Sequence, residues 1–541
     1  MKISGHIVDI RNRTIFDGVI ELEDNLIKRI TKADNVDDQY ILPGFVDAHV
    51  HIESSMVVPS EFAKMAVVHG TVATVSDPHE IGNVLGVKGV EYMIDNGNEV
   101  NFKFNFGAPS CVPATTFETA GAVITSEEIR FLLEKPEIKY LAEMMNWPGV
   151  LYKDQTVYEK IKIAQELGKP IDGHAPGLMG EQAEQYIKAG MSTDHECFTA
   201  DEARDKLKHG MKIAIREGSA AKNFEALVEL FAERPEMLMF CSDDKHPDNL
   251  EEGHINQLVA RALAKGHDLF DVLRAACITP IEHYKLDVGT LQQGDYADFI
   301  VTHNLKEFII DKTYINGQLV ANKGESLIEP IEIKPINNFN CSPIQASDLA
   351  IQATGSQMNV IEALDGQLIT KTIVAEVKMD EAGHVISDLE NDYLKFVVVN
   401  RYQQAKPAIG FIKNFNINEG AIASSVGHDS HNILAVGVDD ESLAEAINLI
   451  IKAKGGVSAV GNHKKEILPL PIAGIMSNAD GYEVAKAYTK IDLFSKELGS
   501  TLHSPFMTLS FMALLVIPQL KLSDLGLFDG EQFKFKRLFE I

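Results

Sequence analysis

An α/β protein built around a (β/α)8 barrel is predicted by three observations. Eight short apolar or β-branched runs alternate with helix-like segments between residues 42 and 286. Glycine or proline stands near the strand starts, in "LGKP", "KAGM", "KHGM" and "ERPE", as tight αβ turns require. Polar side chains of metal-binding type recur at the ends of those runs. Eight strand-then-helix units over roughly 240 residues is the dimension of a TIM-type barrel.

The strands, in order, are "FVDAHVH", "TVATVSD", "NFKFNFG", "KYLAEMMN", "PIDGHA", "MSTDHE", "MKIAIREG" and "MLMFCSD". Between them "SEEIRFLLEK", "VYEKIKIAQELG", "GEQAEQYIKAG", "ADEARDKLKHG" and "NFEALVELFAERP" carry helical spacing. Residues 1–41 and 287–328 hold short alternating strands, such as "SGHIVDI" and "KTYINGQLV", on both flanks of the barrel. Two such flanks are expected to form one small β-sandwich domain. After the linker-like "EPIEIKPINNFN", residues 332–541 form an additional C-terminal α/β domain, with a helix at "DDESLAEAINLIIKAKGG".

Composition narrows the function. A formal charge of −28 argues against nucleic acid or an anionic membrane as partner, because phosphates are held by basic patches. Five scattered cysteines without a C-x-x-C pair exclude zinc-ribbon spacing and a disulfide framework. The longest apolar run, "MTLSFMALLVIPQL" at 507–520, is too short to span a bilayer. It is expected in the core or at a subunit interface. With no signal-peptide pattern in "MKISGHIVDI", a cytoplasmic protein is expected, as a homodimer or higher homo-oligomer.

In a (β/α)8 barrel, functional groups come from the C-terminal strand ends. That test yields His49 and His51 from the first strand, Glu143 from the fourth, His174 from the fifth, His195 from the sixth and Asp243 from the eighth, with Asp244 beside it. Residues two apart on a strand share a face, so both imidazoles of "HVH" aim into one space. A lone histidine on an apolar strand is more often a hydrogen-bonded core residue; six groups at one end of a barrel fit two divalent ions. Asp243 is placed to take a proton from a metal-bound water.

"PGFVDAHVHIE", a lone histidine on each of strands five and six, "SDD" on strand eight and the return "GDYADFIV" resemble the amidohydrolase superfamily. More narrowly, "HVHIESSMV", "VSDPHEIGNVLG", "LAEMMNWPGV", "DGHAPG", "STDHE", "CSDDKHPDNL", "GHDSHNI" and "HSPFMTLSFMALLVIP" resemble the adenine deaminase family over essentially the whole chain. The resemblance implies hydrolysis of adenine to hypoxanthine and ammonia by a metal-bound hydroxide, in purine salvage. It implies two divalent ions, Mn2+ first and Fe2+ or Zn2+ as alternatives. His49 and His51 would bind one ion with Asp243, His174 and His195 the other, and Glu143 would bridge where many relatives use a carbamylated lysine. The H-x-E with P-C-x-x-C signature of nucleic-acid-type zinc deaminases is absent.

Adenine N1 must gain a proton during attack at C6, and Glu53, Asp77, His79 and Glu80 are all candidates for that work or for touching the base, together with Asp244. "DPHE" at 77–80 also suits a capped helix start, with Asp77 as N-cap and Pro78 in the first turn. His428, Asp429 and His431 in "VGHDSHNI" have ligand-like spacing, and a polar loop over the barrel mouth is preferred to a third metal site. Two other functions fit parts of the pattern. One is a binuclear hydrolase of a cyclic amide or another aminated heterocycle; the other is an inactive barrel serving as a binding scaffold, which a missing ligand would favour.

Overall fold

The computed structural model describes residues 1–540. Its centre is a parallel barrel of eight strands: β1 (Phe45–Val50), β2 (Thr71–Ser76), β3 (Lys103–Ala108), β4 (Ile138–Met144), β5 (Ile171–Gly173), β6 (Met191–Asp194), β7 (Lys212–Arg216) and β8 (Leu238–Cys241). These are the eight strands predicted from the sequence. β1, β2 and β8 are buried along their full length, which is why they read as near-continuous apolar runs. The barrel closes just past β8, where Asp243 N–H donates to His49 O (2.9 Å) and His51 N–H to Asp243 O (3.3 Å). Closure itself therefore sets the first metal-type residues beside the last.

The helices between the strands begin where the sequence supplies caps. Thr125 and Glu128 form a capping box at Ser126–Leu133; Asp154 caps Gln155–Glu166 and Thr199 caps Ala200–Lys208. Gly173 at the end of β5 leaves room for a neighbour: a Cβ there would meet Thr193 O at 2.5 Å and the Tyr186 ring at 3.0 Å. The space lets Tyr186 reach the backbone beside the site. Its hydroxyl accepts the His174 N–H (3.0 Å) and donates to Met144 O (2.7 Å), tying the ends of β5 and β4 together.

Strands from both flanks build one continuous eight-stranded sheet, in which Tyr40–Pro43 pairs antiparallel with Phe299–Thr302. Its core holds Ile7, Ile20, Ile41, Phe299 and Val301. The C-terminal region forms a nine-stranded sheet carrying the helix Asp440–Ala453, capped by Asp439, and a small three-stranded sheet. One hydrophobic cluster runs unbroken from Ile52, Met56 and Phe62 of the barrel to Ile472, Met476 and Leu514 of this region. The contact is at the barrel's functional end: Ser477 N–H donates to Met56 O at 2.7 Å. Among the described residues, no helix is long and apolar enough to cross a membrane.

Candidate metal centre

The strand ends bring His49, His51, Glu143, His174, His195 and Asp243 together, each no more than 7% exposed. His49 Nε2 and His51 Nε2 lie 3.2 Å apart. Asp243 Oδ1 is 3.5 Å from the first and 3.1 Å from the second. Glu143 stands between two imidazole pairs. Its Oε1 is 3.6 Å from His51 Nε2, while Oε2 is 2.9 Å from His174 Nδ1, 3.1 Å from His195 Nε2 and 3.9 Å from His49 Nε2.

These residues fit divalent metal. Ligand atoms bonded to one ion at about 2.1 Å stand roughly 3 to 3.5 Å apart, close to the separations found here. The surroundings of His51 leave a lone pair aimed inward. His51 Nδ1 faces the Asp77 carbonyl at 3.1 Å; a carbonyl can only accept, so Nδ1 carries the proton and Nε2 is left free for the cluster. His174 turns Nδ1 to the cluster, and its Nε2 is buried with no hydrogen-bond partner among the described residues. Burial pushes the Glu143 carboxyl up, but the imidazoles of His174 and His195 overcome it and hold the group well below the usual range.

Residues 40–320 match the model of the amidohydrolase family, and residues 367–534 match the adenine deaminase C-terminal domain. Three curated relatives are named adenine deaminase. The one from Salinibacter ruber is 53% identical, with 99% of this chain and 98% of that protein covered. Those from Sulfurovum sp. and Borreliella burgdorferi are 53% and 50% identical, each with 99% of both chains covered. The chain belongs to the adenine deaminase family of amidohydrolases. Membership implies a divalent metal centre, which the buried cluster suits.

The remaining expected residues divide into two layers. His79, Glu80 and Asp244 line the cavity above the cluster, with Met145 and Glu196. Glu53, expected to touch the substrate, does not line it. The short turn Ile52–Ser55 directs its side chain to the first turn of the helix His79–Leu85, where Oε1 accepts the Ile81 N–H (3.1 Å) and burial pushes the carboxyl up to about 7. Asp77 is not in the cavity lining, but its carboxylate lies within 4.8 Å of ligand atoms of His51, His79 and Glu143. Its Oδ1 accepts the His79 N–H (3.1 Å), and its Oδ2 is 3.2 Å from His79 Nδ1; the helix begins at His79 with Pro78 as its N-cap, so Asp77 stands one residue before the cap position expected of it.

Two groups of residues enter the site that the strand-end test passed over. Arg216, at the end of β7, lies 2.5 Å from Asp243 Oδ2 and pairs with Glu196, which follows His195 in "DHE". A charged residue buried at a barrel strand end was the available signal. The second group comes from the C-terminal domain. Asp429 lines the cavity, as do Leu368, Phe511 and Leu514, so the apolar 507–520 run forms core and cavity wall at once.

Proposed function

We propose that the protein catalyses hydrolytic deamination of adenine to hypoxanthine and ammonia, serving purine salvage in the cytoplasm as a homo-oligomer. The observation that carries this reading is the position of Glu143 between two imidazole pairs, in a chain similar over its whole length to proteins named adenine deaminase. His49, His51 and Asp243 would hold one ion and His174 and His195 a second, with Glu143 reaching both. Mn2+ is the preferred metal, with Fe2+ or Zn2+ as alternatives. Divalent metal supplies a water of lowered pKa, and hence a nucleophile at neutral pH.

The chain's own residues do the rest. Asp243 accepts the proton shed by the attacking water and returns it to the exocyclic nitrogen, which departs as ammonia. Arg216 fixes the other oxygen of Asp243 during that exchange. Of the four candidates for the N1 proton, Glu80 and His79 line the cavity, 3.5 Å apart. Burial pushes the Glu80 carboxyl up, but His428, His431 and His79 hold it well below its ordinary range, so Glu80 reaches N1 with a proton it first takes from His79, 3.5 Å away. Asp244, anchored by the Ser54 hydroxyl at 2.5 Å, accepts an N–H of the purine ring. Leu368, Phe511 and Leu514 give the flat heterocycle an apolar wall and exclude bulk water.

Purified protein loaded with Mn2+ is expected to convert adenine to hypoxanthine, followed by ultraviolet absorbance. Protein of full metal content that leaves adenine untouched yet opens a cyclic amide would reject the reading.

A further inference from the structure

Behind the cavity wall stand two imidazoles that the proposed reaction does not use. His428 and His431 are buried, 3% and 1% exposed, and both come from the C-terminal domain. His428 Nδ1 is hydrogen-bonded to Glu80 Oε1, and His431 Nε2 lies 2.5 Å from Glu80 Oε2. Each oxygen of the carboxylate therefore has its own imidazole, hydrogen-bonded at His428 and in close charge contact, outside hydrogen-bond geometry, at His431. The His428 ring also lies flat against Phe511, with centroids 4.8 Å apart and planes 14° from parallel. His431 sits at φ 52°, in the left-handed region that histidine enters more readily than most side chains.

The terminal torsion of a glutamate is soft, so a carboxylate held at one oxygen swings and does not present a fixed edge. Two imidazoles on its two oxygens remove that freedom. Contact with Phe511 then couples the carboxylate to the wall on which a flat ring would rest. We propose that His428 and His431 are positioning residues: they clamp Glu80 and, through His428, register it against Phe511, so that the N1 edge of an aminated heterocycle meets a preset carboxyl group. The six metal-type residues come from the barrel; the clamp gives the C-terminal domain, which already walls the cavity, a part in placing the proton-transfer group. This inference rests on the deaminase reading above.

The test uses the full-length, metal-loaded chain and a double-mutant cycle. His428→Leu is expected to lower kcat/KM for adenine by about 100-fold, the scale of a misplaced catalytic group, with metal content equal to that of the wild type. His428→Asn, whose amide can donate where Nδ1 does, should recover at least about tenfold of that loss. In the Glu80→Gln background His428→Leu should cost almost nothing further, because the two act as a unit. His431→Asn leaves the stacked ring in place and carries the same cycle independently should His428→Leu fail to fold. Full additivity with Glu80→Gln, unchanged kinetics in both histidine variants, or loss of a metal ion from His428→Leu would each overturn the clamp; the last would make this cluster a metal site. A wild type inert on adenine overturns the deaminase reading and the clamp together, whereas an active wild type with an additive cycle overturns the clamp alone.

Discussion

Arg216 holds Asp243 against Glu196. Its Nη1 is 2.5 Å from Asp243 Oδ2, its Nη2 is 3.1 Å from Glu196 Oε2, and all three residues are 2% exposed. The guanidinium compensates two buried carboxylates and leaves Asp243 Oδ1 turned towards His49 and His51. Burial pushes Asp243 up, yet Arg216 and the two imidazoles hold it well below the usual carboxylate range.

Removing that cation strands two buried anions. Arg216→Met is therefore expected to destabilise the fold by about 3–5 kcal/mol, measured by denaturant unfolding of the metal-free protein. Arg216→Lys, which keeps the charge without the planar fork, should fall between. An Arg216→Met protein as stable as the wild type would show that the Arg216 ion pairs carry no net stabilisation.

Asp243→Asn keeps the side-chain volume and removes the proposed base. Turnover of adenine should fall by about 10²–10⁴-fold, while His49 and His51 retain much of the bound metal. Ammonia release measured beside elemental analysis separates the two effects. Activity within a few-fold of the wild type would take Asp243 out of the proton transfer.

Among the described residues, Glu143 is the carboxylate within 4 Å of imidazoles from both pairs. Glu143→Gln should lower bound metal by at least one ion per chain, read by elemental analysis after dialysis. Full retention of metal would mean that the histidines and Asp243 suffice without a shared carboxylate.

Lys521 gives a pH dependence of known sign. It is completely buried, donates only to the carbonyls of Leu368 (2.7 Å) and Phe511 (2.9 Å), and burial lowers its pKa from 10.5 to about 7. Between those values the unfolded chain binds the proton and the folded chain does not, so stability rises with pH across that window and is lost as pH falls through it. The slope for this group approaches about 1.4 kcal/mol per pH unit. Lys521→Met should remove that component from unfolding curves collected between pH 7 and 10.5. The same slope in the variant would assign it to other groups.

What the sequence made legible followed from local periodicity. Strand alternation placed "HVH" on a barrel strand, and the strand-end rule gathered Glu143, His174, His195 and Asp243 with it, because both depend on neighbours within a few residues. Arg216 escaped because a charged residue in "IREG" resembles an ordinary strand exit until Glu196 and Asp243 are seen around it. His428 lies 348 residues from Glu80, a separation at which no spacing rule operates. Glu53 shows the opposite limit: proximity to His51 in sequence suggested the cavity lining, and one short turn set its side chain on the Ile81 N–H at the start of a helix.

If the six-residue cluster under the C-terminal domain supports deamination of adenine, activity must follow metal content. The most direct measurement is ammonia released from adenine by the purified chain as Mn2+ is titrated into metal-free protein. Activity that rises from none to a plateau at two ions per chain is the expected result. Fully loaded protein that releases no ammonia, or activity that persists without metal, would contradict it.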